Sequence, residues 1–372
     1  MKRSGPMPVN PRQRSDPTTM NLDDLSSFKQ LDPQDMLGQI DHLPDQLAGA
    51  WALGQSCPLP ETGAIQRVVI TGMGGSAIGA DLLASYALDA CPLPVTVHRD
   101  YGLPAFADGP ATLVIASSHS GNTEETLDAF DAAAEAGCTL LAICTGGELE
   151  KRASARGCPV WKFVHAGQPR AAVGFSFGLL LAAFARLGLV PDPAEELAGA
   201  VKAMKAQQKN LRANVPVADN PSKRMAGQLV GRWVNVYAAG FLAPVARRWK
   251  GQVNELAKAG AGFEALPEAD HNALAALVNP EETLARTITL FLRSGSDHPR
   301  NALRLDLTRR GFLAAGLNTD VYHAQGDSPL AHIWTTLHFG DYNAYYLAMA
   351  YGMDPTPVAA LQDFKAAMKA AG

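Results

Sequence analysis

Ser117-Ser118-His119-Ser120-Gly121-Asn122-Thr123 is a run of small hydroxyl side chains broken by one glycine. It lies between an apolar stretch, TLVIAS (112–117), and an acidic stretch of helical period, NTEETLDAFDAAAEAG (122–137). Starting a helix takes one capping side chain. This loop offers Ser118, Ser120 and Thr123 together, at the C-terminal end of an expected strand. Side-chain O–H groups and first-turn backbone N–H groups can converge there on a phosphate monoester. Capping alone is the other reading. A second turn of the same kind follows RVVITG (67–72): Gly72-Met73-Gly74-Gly75-Ser76-Ala77-Ile78-Gly79, with Gly75 and Ser76 as its anion-facing candidates. Gly72-x-Gly74-x-x-Ala77 also fits a dinucleotide fingerprint, with Asp100 after the next strand as the ribose partner. The hydroxyl loop weighs against that reading, because a nicotinamide dehydrogenase has no need for it.

Such loops need a scaffold of strands that end in a row, and the chain supplies one. RVVITG, VTVHR (95–99), TLVIAS, TLLAIC (139–144) and VWKFV (160–164) alternate with helical stretches at 76–90, 122–137 and 175–187. That alternation predicts βαβ units and a parallel sheet with helices on both faces. Leu37, Ile40, Leu43, Leu47 and Trp51, at roughly helical spacing, sit in an N-terminal helical segment over 23–60. The second half repeats the theme. WVNVYAAG (233–240), TITLFLRS (287–294) and NTDVYH (318–323) read as strands, and 244–259, 299–315, 330–351 and 357–371 as helices. The expected organisation is a disordered tail over 1–22, the helical segment over 23–60, a first lobe over 61–190, a helical connector over 191–220 and a second lobe over 221–372. The expected fold class is α/β and doubly wound, each lobe a five-stranded parallel sheet flanked by helices. Its ligand would lie between the lobes at the C-terminal ends of the strands.

Composition narrows the classes. The 372 residues are 47% hydrophobic and carry 32 Lys+Arg against 36 Asp+Glu, net −4, so no overall field draws the chain to nucleic acid. Five cysteines without a CxxC pair argue for a reducing compartment and against a structural zinc site. No apolar segment follows the basic start, and the most apolar window, 175–184, ends at Arg186, short of a membrane span. A cytoplasmic protein is expected. His332 and His338 are not spaced as a facing helical pair, and no metal ligand set is predicted. The aromatic residues over 338–346 read as the core of a buried helix, Tyr342 being one that would also suit a site lining.

GMGGSAIG (72–79) and SHSGNTEETL (118–127) together resemble the sugar-isomerase (SIS) fold and, more narrowly, the bifunctional phosphoglucose/phosphomannose isomerase family. HLPDQLAGAW (42–51), GQPRAAVGF (167–175), RRWKGQVNELAKA (247–259), PEADHN (267–272) and LHFGDYNAYYLAMAYGMDPTPV (337–358) extend the resemblance over about residues 35–370. It implies an enzyme of carbohydrate metabolism. The reaction is the metal-independent, cofactor-free interconversion of glucose 6-phosphate, and of mannose 6-phosphate, with fructose 6-phosphate through a cis-enediolate.

By that resemblance Gly75, Ser76, Ser118, Ser120 and Thr123 hold the phosphate. Glu255 is the base that moves a proton between C2 and C1; read alone, it is a helical glutamate paired with Lys258 on the surface. Arg170 stabilises the enediolate, a task suited to a planar, permanently charged fork. His271, assisted by Lys365 of the last helix, opens the sugar ring. The resemblance also implies a homodimer in which His271 reaches the neighbouring subunit's site. Three departures stand out: Leu256-Ala257-Lys258 after Glu255, Ala273 after His271-Asn272, and His119 where relatives commonly carry tyrosine. A different SIS enzyme and a non-catalytic sugar-phosphate sensor are the alternatives.

Overall fold

Every strand among the described residues is parallel to its neighbours, so each return path must cross a face of a sheet, and helices make those crossings. The computed structural model describes residues 20–371, and the expected tail falls outside it over 1–19. Met20 already joins the fold through a backbone bond to Ala350, and Leu22 is buried.

The chain opens with helices α1 (Leu25–Leu31), α2 (Met36–Asp41) and α3 (Leu43–Ser56). The first lobe follows as β1 (Arg67–Thr71), α4 (Gly74–Tyr86), β2 (Val95–His98), β3 (Thr112–Ser118), α5 (Glu124–Glu135), β4 (Thr139–Cys144), α6 (Gly147–Ala155), β5 (Val160–Lys162) and α7 (Val173–Arg186). Helices α8 (Ala194–Gln208) and α9 (Pro221–Leu229) lead to the second lobe. That lobe contains β6 (Trp233–Ala239), α10 (Ala243–Glu255), β7 (Ala261–Leu266), α11 (Glu281–Ala285), β8 (Thr287–Arg293), α12 (Pro299–Ala314) and β9 (Asn318–His323). It is followed by α13 (Pro329–Ala350) and α14 (Ala359–Ala371).

Sheet one has the five expected strands, in the order β2-β1-β3-β4-β5, and sheet two runs β7-β6-β8-β9. Among the described residues the second sheet therefore has four strands, one fewer than expected. Its β7 is AGFEAL, a stretch whose glycine and glutamate hide the strand pattern. After β9 the chain goes into α13, not into a fifth strand. That helix is buried from Leu330 to Ala350, which leaves it no polar face to turn to water. It packs against α8, α9 and α10, and Tyr342 lies inside this core, donating to Asp41 while Gln208 donates to its hydroxyl at 2.9 Å. Core residues of both sheets, α3, α7 and α13 form one continuous apolar cluster.

The strand order of sheet one reverses between β1 and β3. At such a point the loops after the two strands turn to opposite faces and leave a crevice between them. The loops that border it are β1–α4 and β3–α5, the two turns singled out from sequence.

Candidate active site

Helices α4 and α5 both begin at this crevice, and neither is capped by a side chain. Thr123 occupies the N-cap position of α5, yet its hydroxyl meets that of Ser118 at 3.0 Å instead of the helix amides. The first-turn N–H groups thus stay available for an anion, which is not what a capping loop would do. Ser118 Oγ accepts from the Gly121 amide at 3.1 Å, and Ser120 Oγ accepts from Asn122 at 3.2 Å. Ser76 on α4 reaches across, its hydroxyl accepting from the His119 amide at 3.2 Å.

Bare backbone matters in this assembly at Gly121 and at Gly75, among others. Gly121 has φ +65°, and a Cβ there would collide with the carbonyl of Gly146 in the β4–α6 turn. Asn122 ties the same two loops, accepting from the Glu148 amide at 3.0 Å. A Cβ at Gly75 would stand 2.5 Å from the carbonyl oxygen of Pro169, so the α4 start and the Arg170 segment are in contact through bare backbone.

Arg170 sits in a short 3₁₀ turn (Pro169–Ala171) after β5 and is buried, 5% exposed. Its Nη1 lies 3.4 Å from Glu255 Oε2, and its Nη2 donates to the carbonyls of Pro355, at 2.9 Å, and Thr356. Its Nε is buried without an acceptor among the described residues. Burial lowers the guanidinium from its ordinary value, and the Glu255 carboxylate opposes that shift. Beneath it, Arg248 and Asp341 form a buried pair at 2.7 Å. Gln252 adds a second donor to Asp341, and Arg248 Nη2 also donates to the Arg170 carbonyl at 2.8 Å.

Glu255 is the last residue of α10, half-buried. Its partner is Arg170, not the neighbouring Lys258 that the sequence alone suggests. Lys258 has φ +53°, the left-handed conformation usually left to glycine after a helix, and its Nζ donates to the carbonyls of Leu256, at 3.1 Å, and Asp354. Burial of the ammonium and the nearby Arg170 charge bring it down to about 8. The Asp354-Pro355-Thr356 carbonyls therefore collect both cations. These contacts escaped the sequence reading because backbone carbonyls carry no residue signature.

The structure corrects the expected location of the site. The crevice is at the C-terminal edge of sheet one, but α10 runs back from the C-terminal end of β6 to the start of β7, so Glu255 lies at the N-terminal edge of sheet two. His271 comes after β7 and so lies at the other edge, one strand length away, about 20 Å for the six residues of β7. It is exposed, as is Lys365 on α14, a helix with no buried residue. Neither side chain makes a hydrogen bond or ion pair among the described residues. Gly75, Ser76, Ser118, Ser120, Thr123, Arg170 and Glu255 are thus linked around one crevice; His271 and Lys365 are not. Two cavities of about 420 and 410 Å³ lie elsewhere, one beside Asp320 and His323, the other beside Glu264 and Phe312.

Two parallel sheets flanked by helices, with glycine- and hydroxyl-rich loops at the switch point of the first, define an SIS-domain protein. Residues 218–368 match the bacterial phospho-glucose isomerase C-terminal SIS domain. The chain is 39% identical over 328 residues to a bifunctional phosphoglucose/phosphomannose isomerase of Caldicellulosiruptor bescii, covering 87% of this chain and 96% of that one. It is 33% identical over 303 residues to the enzyme of the same name from Aquifex aeolicus, covering 81% and 90%. A crystal structure of a hypothetical protein from Thermus thermophilus superposes with a TM-score of 0.71 at 17% identity, over 94% of each chain, and shows the same fold. The chain belongs to the bifunctional phosphoglucose/phosphomannose isomerase family. Among the described residues, no helix is long and apolar enough to cross a membrane.

Proposed function

We propose that this protein is an aldose–ketose isomerase that interconverts glucose 6-phosphate, and mannose 6-phosphate, with fructose 6-phosphate. The observation that carries the reading is the placement of the Arg170–Glu255 pair, at 3.4 Å, beside two uncapped helix N-termini lined by Ser76, Ser118 and Thr123. The phosphate is held by those hydroxyls and amides, which a mildly acidic protein needs in place of an overall positive field. With the sugar open, Glu255 takes the proton from C2. The C2–H electrons form the C1–C2 double bond, and the carbonyl oxygen becomes the enediolate oxyanion. Arg170 faces that charge from a buried position, where a fixed cation is most effective. Return of the proton to C1, with the O2 proton passing to O1, leaves the ketose.

Ring opening is the task of His271 with Lys365. The two edges of sheet two keep His271 away from Glu255 within one chain, so the histidine serves the site of a second copy in a homodimer. The exposure of His271 and of all of α14 in the single chain supports that arrangement.

A coupled assay from fructose 6-phosphate, with glucose 6-phosphate dehydrogenase detecting product, tests the reading. A parallel arm starting from mannose 6-phosphate tests the second substrate, and a matched reaction with added phosphomannose isomerase is its positive control. Wild type is expected to turn over both, and Glu255→Gln to lose about 10²–10⁴-fold in kcat. A wild type inactive on both sugars sinks the isomerase assignment, and a Glu255→Gln loss below about tenfold removes Glu255 as the base.

A further inference from the structure

His119 stands between the two serines of the phosphate loop. Its Nε2 is 2.9 Å from Nδ1 of His165, with the rings 5.1 Å apart and nearly perpendicular, at 86°. The Gly167 amide donates to the same His165 Nδ1 at 3.3 Å. An atom that accepts an N–H carries a lone pair, so the proton of the imidazole–imidazole bond is on His119 Nε2. Phe163 and Phe175, stacked at 4.8 Å, hold the pair in place: His119 meets Phe163 edge-on and His165 meets Phe175 edge-on. Burial keeps both rings below the ordinary imidazole range, His119 at about 4, so both are neutral at neutral pH.

The main chain of His119 is fixed as well. Its amide donates to Ser76, and its carbonyl accepts from the Thr145 amide at 3.0 Å and hydroxyl at 2.7 Å. His165 belongs to the segment after β5 that reaches Arg170 five residues later. The ring–ring bond is therefore a strut from the phosphate loop to the Arg170 segment, in addition to the backbone contact at Gly75.

We propose that His165 is a positioning residue whose Nδ1, acting through His119, sets the phosphate-binding loop at its working distance from the segment that carries Arg170. The proposal rests on the sugar-phosphate isomerase reading above. Because the strut acts on the loop and not on the reacting carbons, it governs KM more than kcat.

The test compares wild type, His165→Phe and His165→Asn by steady-state kinetics on fructose 6-phosphate and by calorimetric binding of the same compound. Phenylalanine keeps the ring volume and deletes the acceptor; asparagine places Oδ1 where Nδ1 was. The expected result is a KM about tenfold higher in His165→Phe with kcat within about twofold, and recovery in His165→Asn to within about threefold of wild type. A wild-type KM in His165→Phe, equal weakening by both substitutions, or a fall in kcat at constant KM overturns the proposal. Should thermal melts show that His165→Phe is unfolded, His119→Phe against His119→Gln, which keeps a donor at the Nε2 position, makes the same comparison. An inactive wild type that still binds fructose 6-phosphate refutes the isomerase reading alone, and the dissociation constants then decide the strut by the same ratios. A wild type that does not bind it refutes both.

Discussion

Arg170 of the first lobe and Glu255 of the second meet at 3.4 Å, a buried guanidinium against a half-buried carboxylate, so the candidate site spans the join between the two lobes. Three acceptors share that guanidinium: the Glu255 carboxylate and the Pro355 and Thr356 carbonyls. Lysine offers one compact charge in place of a planar fork and cannot span them. Arg170→Lys is expected to lower kcat by about 10²–10³, the range seen when a donor to a developing oxyanion is removed. Steady-state kinetics beside a thermal melt separates this loss from unfolding.

Gly121 and Gly137 have nearly the same left-handed φ, +65° and +68°, but only Gly121 has another chain segment against it. Alanine at either position carries the left-handed penalty of about 1–2 kcal/mol. At Gly121 the methyl group also drives the phosphate loop away from Gly146, adding an overpacking cost of about 1–3 kcal/mol. Gly121→Ala should therefore raise KM for fructose 6-phosphate and lower the urea midpoint, whereas Gly137→Ala should lower the midpoint alone.

Asp341 is the anion under the site, held by Arg248 and Gln252. Asp341→Ala would leave Arg248, only 4% exposed, without its counter-charge. Breaking a buried pair in this way costs about 3–5 kcal/mol. Equilibrium urea unfolding is expected to show a loss of that size. Because Arg248 also supports the Arg170 carbonyl, the folded fraction should lose kcat as well.

Buried neutral histidines make stability sensitive to acid. His119 and His338 are both brought down to about 4 by burial, and His338 spends its Nε2–H on the Ile40 carbonyl at 2.9 Å. Below the unfolded value of about 6.5, the unfolded chain binds protons that the folded chain refuses. Stability contributed by these rings is complete above that pH and is lost as pH falls toward 4. The free energy of unfolding should therefore decline over that window. His338→Gln, which can keep the bond to Ile40, should reduce the slope by up to about 1.4 kcal/mol per pH unit, the value for one proton. An unchanged slope would show that His338 is not among the groups that titrate on unfolding.

The loops were legible because their chemistry is local. SHSGNTEETL declares a strand end, a tight turn and a helix start within ten residues, and α4, α5 and β1 to β5 follow from period and turn chemistry in the same way. Residues 261–266 carry no clean strand alternation, because Gly262 and Glu264 interrupt the apolar pattern within the strand. Helical spacing offers Lys258 as a surface partner for Glu255, but the left-handed backbone at Lys258 aims its side chain at the Leu256 and Asp354 carbonyls instead.

What the sequence determined by itself is the α/β scaffold and a set of candidate side chains: hydroxyls and glycines suited to an anion, one carboxylate, one arginine, one histidine and one lysine. What only the tertiary structure decided is which of them meet. Direction along α10 puts Glu255 beside Arg170 and leaves His271 at the far edge of the same sheet. The three carbonyls that gather Arg170 and Lys258, and the histidine pair that braces the phosphate loop, are likewise products of packing. Local sequence encodes residue chemistry and period, whereas distances between lobes depend on how a parallel sheet forces each helix to run against its strands.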